Sequence, residues 1–464
     1  MIARNPLMRP LILIAAVGVS YANAFRGVFQ FDDHNVIVGN PSVHSLAAFV
    51  GDLPRGIRPL LKLTYLANWT AGGGLFGFHL VNISLHAANT LLVFLIARRM
   101  TEGRGTDGVP ACGTVPFLAA LLFAVHPVQT EAVTYVSGRS MSLMAFFYLA
   151  GLLSYVRGTT GGKGWLYVVS PVLYVLAVLS KETALTLPVA LLLWEGAFGT
   201  RPRRFREIAR RQGVHWVLLV LITAAVAFHP SYRGLVLYGF GARTVPENLL
   251  AQGTGIVYLL SRLIRVDRLN IDPDLPVPGS WTPEIAARTA CLAGLVIAGA
   301  VLLWRRPVAG FGLLWFFLQL LPTNSVVPRL DVANERHLYL ASWGIFLAAG
   351  AEAERVQANL QVAGRWVRAG WFVAAALLLV FTVLRNEVYR SETAMWEETA
   401  LRSPGKARVH NNLGYSYYRA GQPERAISAY REALGIDPDF ALARGNKALA
   451  EAEILLRSTA YPPR

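Results

Sequence analysis

The sequence predicts an all-α protein that crosses a membrane many times and ends in a short helical repeat domain. Of its 464 residues, 54% are hydrophobic and only 16% are charged, whereas soluble proteins carry about 25% charged residues. The apolar residues form about eleven stretches, several of them shorter than the roughly 20 residues of a straight span. These stretches are residues 7–25, 78–97, 114–126, 140–156, 165–180, 183–196, 214–229, 286–304, 309–322, 338–351 and 369–385.

Basic residues gather in the short loops between the apolar stretches. The net charge of +16 alone would be compatible with nucleic-acid binding, but loops rich in Arg are typical of the cytoplasmic side of a membrane protein, so we expect no nucleic-acid partner. The clusters are Arg4 with Arg9, Arg98 with Arg99, Arg201 with Arg203, Arg204, Arg206, Arg210 and Arg211, Arg305 with Arg306, and Arg365 with Arg368. The predicted outer loops are then residues 26–77, 127–139, 230–285 and 323–337, with the chain after residue 385 on the same side.

The first apolar stretch leads to two adjacent acids, Asp32 and Asp33. Ala22-Asn23-Ala24 resembles a signal-peptide cleavage site, but we expect an uncleaved span because the rest of the chain is polytopic. Carboxylates are costly near hydrocarbon, which favours a functional site. The alternative is that the pair only begins a turn or caps a helix in a solvated loop.

Two other segments are expected to lie along the outer membrane surface. Residues 58–69 form an apolar stretch with basic residues near its start and Trp69 at its end, where an indole suits the headgroup level. Residues 248–264 are also apolar, but the arginines at their end resist a spanning assignment. Two cysteines, Cys112 and Cys291, imply no disulfide framework.

The C-terminal segment has the pattern of a tetratricopeptide repeat, in which small residues let two antiparallel helices pack closely. The matching positions are Leu413, Gly414, Tyr417, Ala426, Tyr430, Ala433 and Pro438. Trp396 and Pro404 are typical of a preceding second helix, and residues 441–456 of a following or capping helix. We therefore predict a membrane domain at 1–385 and a repeat domain at 386–464. Such repeats bind peptides or proteins, and pure scaffolding is the alternative.

The predicted outer loops carry many polar side chains for a membrane protein. Each has an ordinary interpretation: His126 can end a helix, Lys181 can snorkel, and Glu335 with Arg336 can form a local ion pair. Their placement on one membrane face favours a common site that receives an anionic lipid, such as a lipid phosphate. The candidate substrate-binding residues are His126, Glu131, Arg139, Lys181, Glu335, Arg336 and Tyr339.

The ordered series of these motifs resembles a known family, the transmembrane and tetratricopeptide-repeat-containing O-mannosyltransferases and their bacterial relatives. The residues that carry the resemblance are Phe31-Asp32-Asp33, Arg58-Pro59-Leu60, Phe78-His79-Leu80-Val81-Asn82 with His86, His126-Pro127 with Glu131, Gly138-Arg139, Ser180-Lys181-Glu182 and Glu335-Arg336 with Leu338-Tyr339. The resemblance covers nearly the whole chain. It implies the GT-C fold of polytopic glycosyltransferases for residues 1–385.

The resemblance also implies a reaction. A sugar, expected to be mannose, moves from a polyprenyl phosphate to an acceptor hydroxyl, expected to be protein Ser or Thr, by inverting displacement. Asp32 is the implied general base with Asp33 assisting, because a carboxylate can accept the proton of an attacking hydroxyl. Arg139, Lys181 and Arg336 are the candidates to stabilise the leaving phosphate.

On a metal ion the resemblance has two implications: acidic residues of the second outer loop bind a divalent cation in oligosaccharyltransferase relatives, whereas the mannosyltransferase branch implies transfer without metal. Glu131 and Asp32 could together bind Mg²⁺ or Mn²⁺, but two acids are sparse coordination. We expect no metal and no other cofactor, with Glu131 orienting the acceptor or supporting the fold. The expected partners are the lipid-linked sugar, the bilayer, and a protein or peptide acceptor bound through the repeat.

Two other functions fit parts of the sequence. A transporter or flippase of lipid-linked sugars also places charges within a membrane, although the membrane part has no convincing internal repeat. A non-catalytic scaffold would need the repeat but not the acids and cations together. The Arg-rich, Lys-poor composition favours a bacterial inner membrane, with the site and the repeat on the periplasmic side.

Overall fold

The part of the protein that the structure describes is predominantly helical and contains no β-strand. The computed structural model describes residues 7–102, 114–199, 205–359 and 364–460. The first ten helices are α1 Met8–Ser20, α2 Leu46–Asp52, α3 Pro59–Thr70, α4 Gly74–Thr101, α5 Thr114–Val125, α6 Thr130–Val133, α7 Arg139–Thr160, α8 Ser170–Ser180, α9 Leu187–Phe198 and α10 Phe205–Phe228. The remaining helices are α11 Pro230–Ala242, α12 Val245–Arg262, α13 Pro283–Arg305, α14 Pro307–Leu320, α15 Leu338–Asn359, α16 Gly364–Val388, α17 Glu392–Arg402, α18 Ala407–Arg419, α19 Pro423–Ile436 and α20 Ala441–Ala460.

The protein is an integral membrane protein, but the predicted count of about eleven spans is not confirmed. Among the described residues, six helical segments are long and apolar enough to cross a membrane, or seven if the bent pair Thr114–Val125 and Pro127–Val133 is one span. The six are Met8–Arg26, Gly74–Thr101, Val136–Thr160, Phe205–Phe228, Pro283–Arg305 and Arg365–Val388. Helices α9 and α14 coincide with predicted spans but have only 12 and 14 residues. Apolar stretches of that length also occur in helices buried within a protein, so hydropathy alone does not determine the number of spans.

The core of the membrane part contains a direct contact between α14 and α15. A Cβ atom added at Gly312 would lie 2.3 Å from the carbonyl oxygen of Gly344, so only glycine allows this approach. Next to the glycines, Trp315 and Trp343 pack edge to face with ring centroids 5.0 Å apart. The indole N–H of Trp315 donates to the carbonyl oxygen of Leu340 at 2.9 Å. Small residues at a helix interface permit such packing in membranes.

Gly312→Ala is expected to destabilise the protein by about 1–3 kcal/mol, because the new methyl group forces the two backbones apart. The matched control is Gly294→Ala on α13, where an added Cβ meets no atom within 4 Å. Thermal unfolding in detergent measures the difference. Equal melting temperatures for the two variants would contradict the close contact.

Helices α3 and α12 occupy segments that the sequence placed along the outer surface. α12 is not among the candidate spans, and its side chains bond to the loop between α14 and α15. Asn248 Nδ2 donates to the carbonyl oxygen of Ser325 at 2.7 Å, and Asn324 Nδ2 donates to Gln252 Oε1 at 2.9 Å. Their position at a membrane surface stays a prediction.

Several sequence features lie outside the described residues: Arg4, Cys112, Arg201, Arg203 and Arg204. Cys291, which lies on α13, is a free and exposed thiol.

Helices α17–α20, here called the repeat module, form the C-terminal unit. Gly414 of α18 packs against the ring of Tyr430 on α19, where an added Cβ would lie 2.6 Å from Cε1. Ala426 and Ala433 are fully buried, as close antiparallel packing requires. The predicted domain boundary at residue 385 falls within the last turn of α16, and the position of the boundary stays a prediction.

Candidate active site

The two adjacent acids occupy different environments. Asp33 is fully buried, and both of its carboxylate oxygens accept backbone N–H groups: Oδ2 from Gln30 at 3.0 Å and Oδ1 from Ser137 at 2.7 Å. Burial raises the pKa of Asp33 to about 7, although the two N–H donors oppose this shift. Asp33 therefore connects the turn after α1 to the start of α7.

Asp33→Asn is expected to lower stability by about 1–3 kcal/mol, because the amide nitrogen cannot accept one of the two buried backbone N–H groups. The half-buried acid of α2, Asp52, pairs with Lys62 at 2.5 Å and is less buried than Asp33, so Asp52→Asn serves as the control. Thermal unfolding at neutral pH is the measurement.

The pH dependence gives a second readout of the same variant. A raised carboxyl pKa means that the folded state binds the proton more tightly, so the contribution of Asp33 to stability falls as the pH rises from about 4 to about 7. This part of the pH dependence should disappear in Asp33→Asn. Its persistence would contradict the assignment.

Asp32 presents its carboxylate to a cation. Its side chain is 39% exposed, and Oδ2 lies 3.8 Å from Nη1 of Arg336. Its backbone N–H donates to the hydroxyl oxygen of Tyr135 at 2.9 Å. Of the two acids, Asp32 is thus the one that a substrate can reach.

Glu131 on α6 holds Arg336 in place. Glu131 Oε2 accepts the backbone N–H of Arg336 at 2.9 Å, and Oε1 lies 3.7 Å from its Nε. The side chain of Asn334 caps the same short turn by accepting a second bond from that N–H, at 3.1 Å. Arg336 is therefore fixed between a buried acid and the accessible carboxylate of Asp32.

Lys181, at the end of α8, is a buried ammonium group without an ion-pair partner among the described residues. Its side chain is nearly sealed, and Nζ lies 3.5 Å from Ser140 Oγ. Burial, and then the positive charges of Arg58 and Arg336, lower the pKa of Lys181 well below its usual value. An anion bound beside Lys181 would relieve both effects.

The neighbouring acid, Glu182, does not neutralise Lys181 because it is paired elsewhere. Arg58 donates to both of its carboxylate oxygens, Nε to Oε2 at 3.0 Å and Nη2 to Oε1 at 2.8 Å. Burial alone would raise the pKa of Glu182, but the Arg58 guanidinium overrides it and holds the pKa at about 2. Arg58 also has a left-handed backbone, with φ of 55°, directly before Pro59.

A small cavity lies between α7, α14 and α15, and Thr183 of the turn after Lys181 contributes to its lining. Its polar lining residues include Thr183, Gln319, Thr323 and His337. Within the described residues, Thr183 Oγ1 and His337 Nδ1 are buried without a hydrogen-bond partner. The cavity therefore offers unused polar atoms, one of them on Thr183, two residues after Lys181.

Arg139, in contrast, is fully buried and directs its donors to the protein. Nε donates to Asn82 Oδ1 at 2.7 Å, Nη2 to the carbonyl oxygen of Phe78 at 3.0 Å, and Nη1 to Thr64 at 3.3 Å. Its guanidinium also lies over the ring of Tyr65, 4.9 Å from the centroid. A phosphate would have to displace these partners.

The remaining candidates are also held by protein partners. His126 caps the turn that follows α5: Nδ1 accepts the N–H of Val128 at 3.2 Å, and Nε2 lies 3.1 Å from the carbonyl oxygen of Leu263. Tyr339 places its hydroxyl 2.9 Å from His86 Nδ1 and 3.0 Å from Asn89 Nδ2.

Glu335 is a buried acceptor on the far side of Arg336. Its Oε1 accepts the hydroxyl of Tyr258 at 2.6 Å and the backbone N–H of Asn270 at 2.9 Å. Burial raises the pKa of Glu335 to about 7. Glu335 therefore joins α12 and the loop after it to the site.

No group of three or more His, Cys, Asp or Glu side chains that could hold a metal ion occurs within residues 7–102, 114–199, 205–359 and 364–460. Metal independence stays a prediction.

Comparison with known proteins adds the family context. The tetratricopeptide repeat family model matches residues 407–440. The chain is 27% identical to the protein O-mannosyl-transferase TMTC4 of Homo sapiens, over 92% of this chain and 66% of the relative. It is 24% identical to the protein O-mannosyl-transferase F38B6.6 of Caenorhabditis elegans, over 93% of this chain and 63% of the relative. The chain is related to the protein O-mannosyl-transferases.

This relationship confirms the resemblance predicted from the sequence. A shorter stretch, 38% of this chain, is 35% identical to the protein O-mannosyl-transferase Tmtc1 of Drosophila melanogaster, and covers 21% of that relative. The chain spans no more than about two thirds of the length of the relatives that it matches over most of its own length, 66% in TMTC4 of Homo sapiens. No solved structure matches the chain.

Proposed function

We propose that the protein is a membrane glycosyltransferase that moves a sugar, expected to be mannose, from a polyprenyl phosphate to a Ser or Thr hydroxyl of a protein. The observation that carries the proposal is the pairing of an accessible carboxylate, Asp32, with the guanidinium of Arg336 at 3.8 Å, near the buried Lys181. A base and two cations in one place are what this transfer requires. The names of the relatives support the sugar and the protein acceptor.

In the proposed reaction, Asp32 accepts the proton of the acceptor hydroxyl as its oxygen attacks the anomeric carbon. The bond between that carbon and the phosphate oxygen breaks, and the lipid phosphate leaves with the electron pair. A direct displacement inverts the anomeric centre. Asp33 assists by holding the turn through its two backbone hydrogen bonds.

Lys181 and Arg336 are the cations that we assign to the phosphate. Preorganised cations stabilise the charge that develops on a leaving group. Lys181 is suited to this role because its ammonium has no carboxylate partner in the described part of the chain, while Arg58 and Glu182 satisfy each other. The phosphate of the donor would supply the negative charge that the protein does not.

The site would face the side opposite the basic loops, which is the periplasm if the membrane is a bacterial inner membrane. The repeat module would lie on the same face and bind the acceptor polypeptide. Its match to the tetratricopeptide repeat model supports a protein-binding role.

The direct test is transfer by the purified protein in lipid nanodiscs. The donor is synthetic polyprenyl-phosphate mannose with a labelled sugar, and the acceptor is a pool of Ser- and Thr-containing peptides. We expect labelled peptides that carry the opposite anomeric configuration to the donor. Retained configuration would overturn the displacement mechanism. A second assay uses proteoliposomes. Lipid-linked sugar that crosses the bilayer without reaching any peptide would favour a flippase. Inactivity in both assays would favour a scaffold.

A further inference from the structure

The repeat module contacts the turn that carries Asp32 through one carboxylate. Glu392, the first residue of α17, accepts the backbone N–H of Phe31 on Oε1 at 2.9 Å. Its Oε2 lies 3.3 Å from His34 Nε2 and 3.3 Å from Nη1 of Arg419, on α18. Glu392 therefore connects α18 to both sides of Asp32.

The turn needs such support because its backbone is strained. Phe31 has a φ of 45°, in the left-handed region that aromatic side chains rarely adopt. Such a conformation is energetically unfavourable and persists only where the surroundings enforce it. The ring of Phe31 packs edge to face on Trp396 of α17, with centroids 5.1 Å apart. Glu392 and Trp396, which make these two contacts with Phe31, both belong to α17.

The same helix supports the partner of the Asp32 backbone. Tyr135, whose hydroxyl accepts the N–H of Asp32, belongs to one hydrophobic cluster with Trp396 and Tyr389. The core of the repeat module thus continues without interruption to the turn.

The repeat module also contacts the loops on the Arg336 side. Asp272 accepts Lys406 at 2.5 Å and Arg408 at 2.9 Å, and Asp331 accepts Arg408 at 2.5 Å. Asp331 lies in the loop that leads to Arg336. Both halves of the Asp32 and Arg336 pair are therefore attached to the repeat module.

We propose that Glu392 is a positioning residue of the transferase: it holds the strained turn so that the carboxylate of Asp32 faces Arg336. The repeat module is then a structural part of the active site as well as an acceptor-binding unit. This inference rests on the proposed function, in which Asp32 is the base.

A double-mutant cycle tests the inference through turnover. Glu392→Ala is expected to lower kcat about 10- to 100-fold, as small displacements of a reacting group do, with the KM for the donor unchanged. In the Asp32→Asn background, the same change should have no further effect, because the group that it positions is gone. Glu392→Gln keeps an acceptor oxygen for Phe31 but loses the charge toward Arg419, so its kcat should lie between those of the wild type and Glu392→Ala. If Glu392→Ala does not fold, Glu392→Gln takes its place in the cycle. Glu424→Ala, an exposed acid on α19, is the matched control.

Amide hydrogen exchange tests the same point without activity. The amides of residues 30–34 should exchange faster in Glu392→Ala than in the wild type. Their exchange rates should be unchanged in Glu424→Ala. Unaltered exchange, or additive losses of kcat in the cycle, would overturn the positioning role. If the wild-type protein transfers no sugar, or if Asp32→Asn has full activity, the proposed function is overturned instead. Faster exchange in Glu392→Ala would still establish that Glu392 holds the turn.

Discussion

Asp32→Asn is expected to reduce kcat for sugar transfer about 10²- to 10⁴-fold, the usual contribution of a general base. The substitution keeps the size of the side chain but removes its ability to take the proton of the acceptor hydroxyl. The backbone N–H that donates to Tyr135 is unaffected, so the fold should survive. Initial rates with saturating donor and peptide measure the effect.

The control for Asp32→Asn is Asp267→Asn, an acid that is 63% exposed in the loop after α12. It should leave kcat unchanged. Binding of the lipid-linked donor by Asp32→Asn should be within a few-fold of the wild type, since phosphate recognition is assigned to other residues. Transfer at the wild-type rate by Asp32→Asn would remove Asp32 from the reaction.

Lys181→Met is expected to weaken donor binding about 10- to 100-fold, because a hydrogen bond to a charged group contributes about 1.5–3 kcal/mol. Methionine keeps the length of the side chain without its charge. The direct measurement is titration with a fluorescent polyprenyl-phosphate sugar. The matched control is Lys163→Met, an exposed lysine between α7 and α8.

The same substitution should make the protein more stable. Burial and the neighbouring arginines lower the pKa of Lys181, so the folded state binds its proton less tightly than the unfolded state. Wild-type stability therefore rises with pH above the lowered pKa of Lys181, up to the ordinary pKa of lysine. In Lys181→Met this dependence should be lost and the melting temperature near neutral pH should rise. Weaker stability together with unchanged donor affinity would show that Lys181 is structural.

Hydropathy predicted the long helices because a span of apolar residues is a local property of the sequence. It did not give the span count, since short apolar helices such as α9 and α14 are as hydrophobic as the longer ones. The repeat was also visible, because its small residues, such as Gly414 and Ala426, recur at fixed offsets within one segment.

The sequence could name Asp32 and Asp33 but could not distinguish their environments. The difference arises because Ser137, more than a hundred positions away, supplies the N–H group that seals Asp33. Arg139 and Arg336 were likewise equivalent in sequence, and only the fold directs Arg139 to Asn82 and Arg336 to Asp32.

Glu392 was missed altogether. It stands after the last apolar stretch, in a segment assigned to the repeat, and no local pattern links it to a turn near the N-terminus. Its contact with Phe31 joins residues 361 positions apart. The sequence signal that could have drawn attention to it is the serine before it, which caps α17 and fixes where the helix begins.

The backbone contact between Gly312 and Gly344 has a mechanical consequence. Two helices whose backbones touch without side chains between them resist sliding past each other, because a shift brings backbone atoms into collision. Arg336 lies in the short turn directly before α15, so its position depends on this contact between α14 and α15.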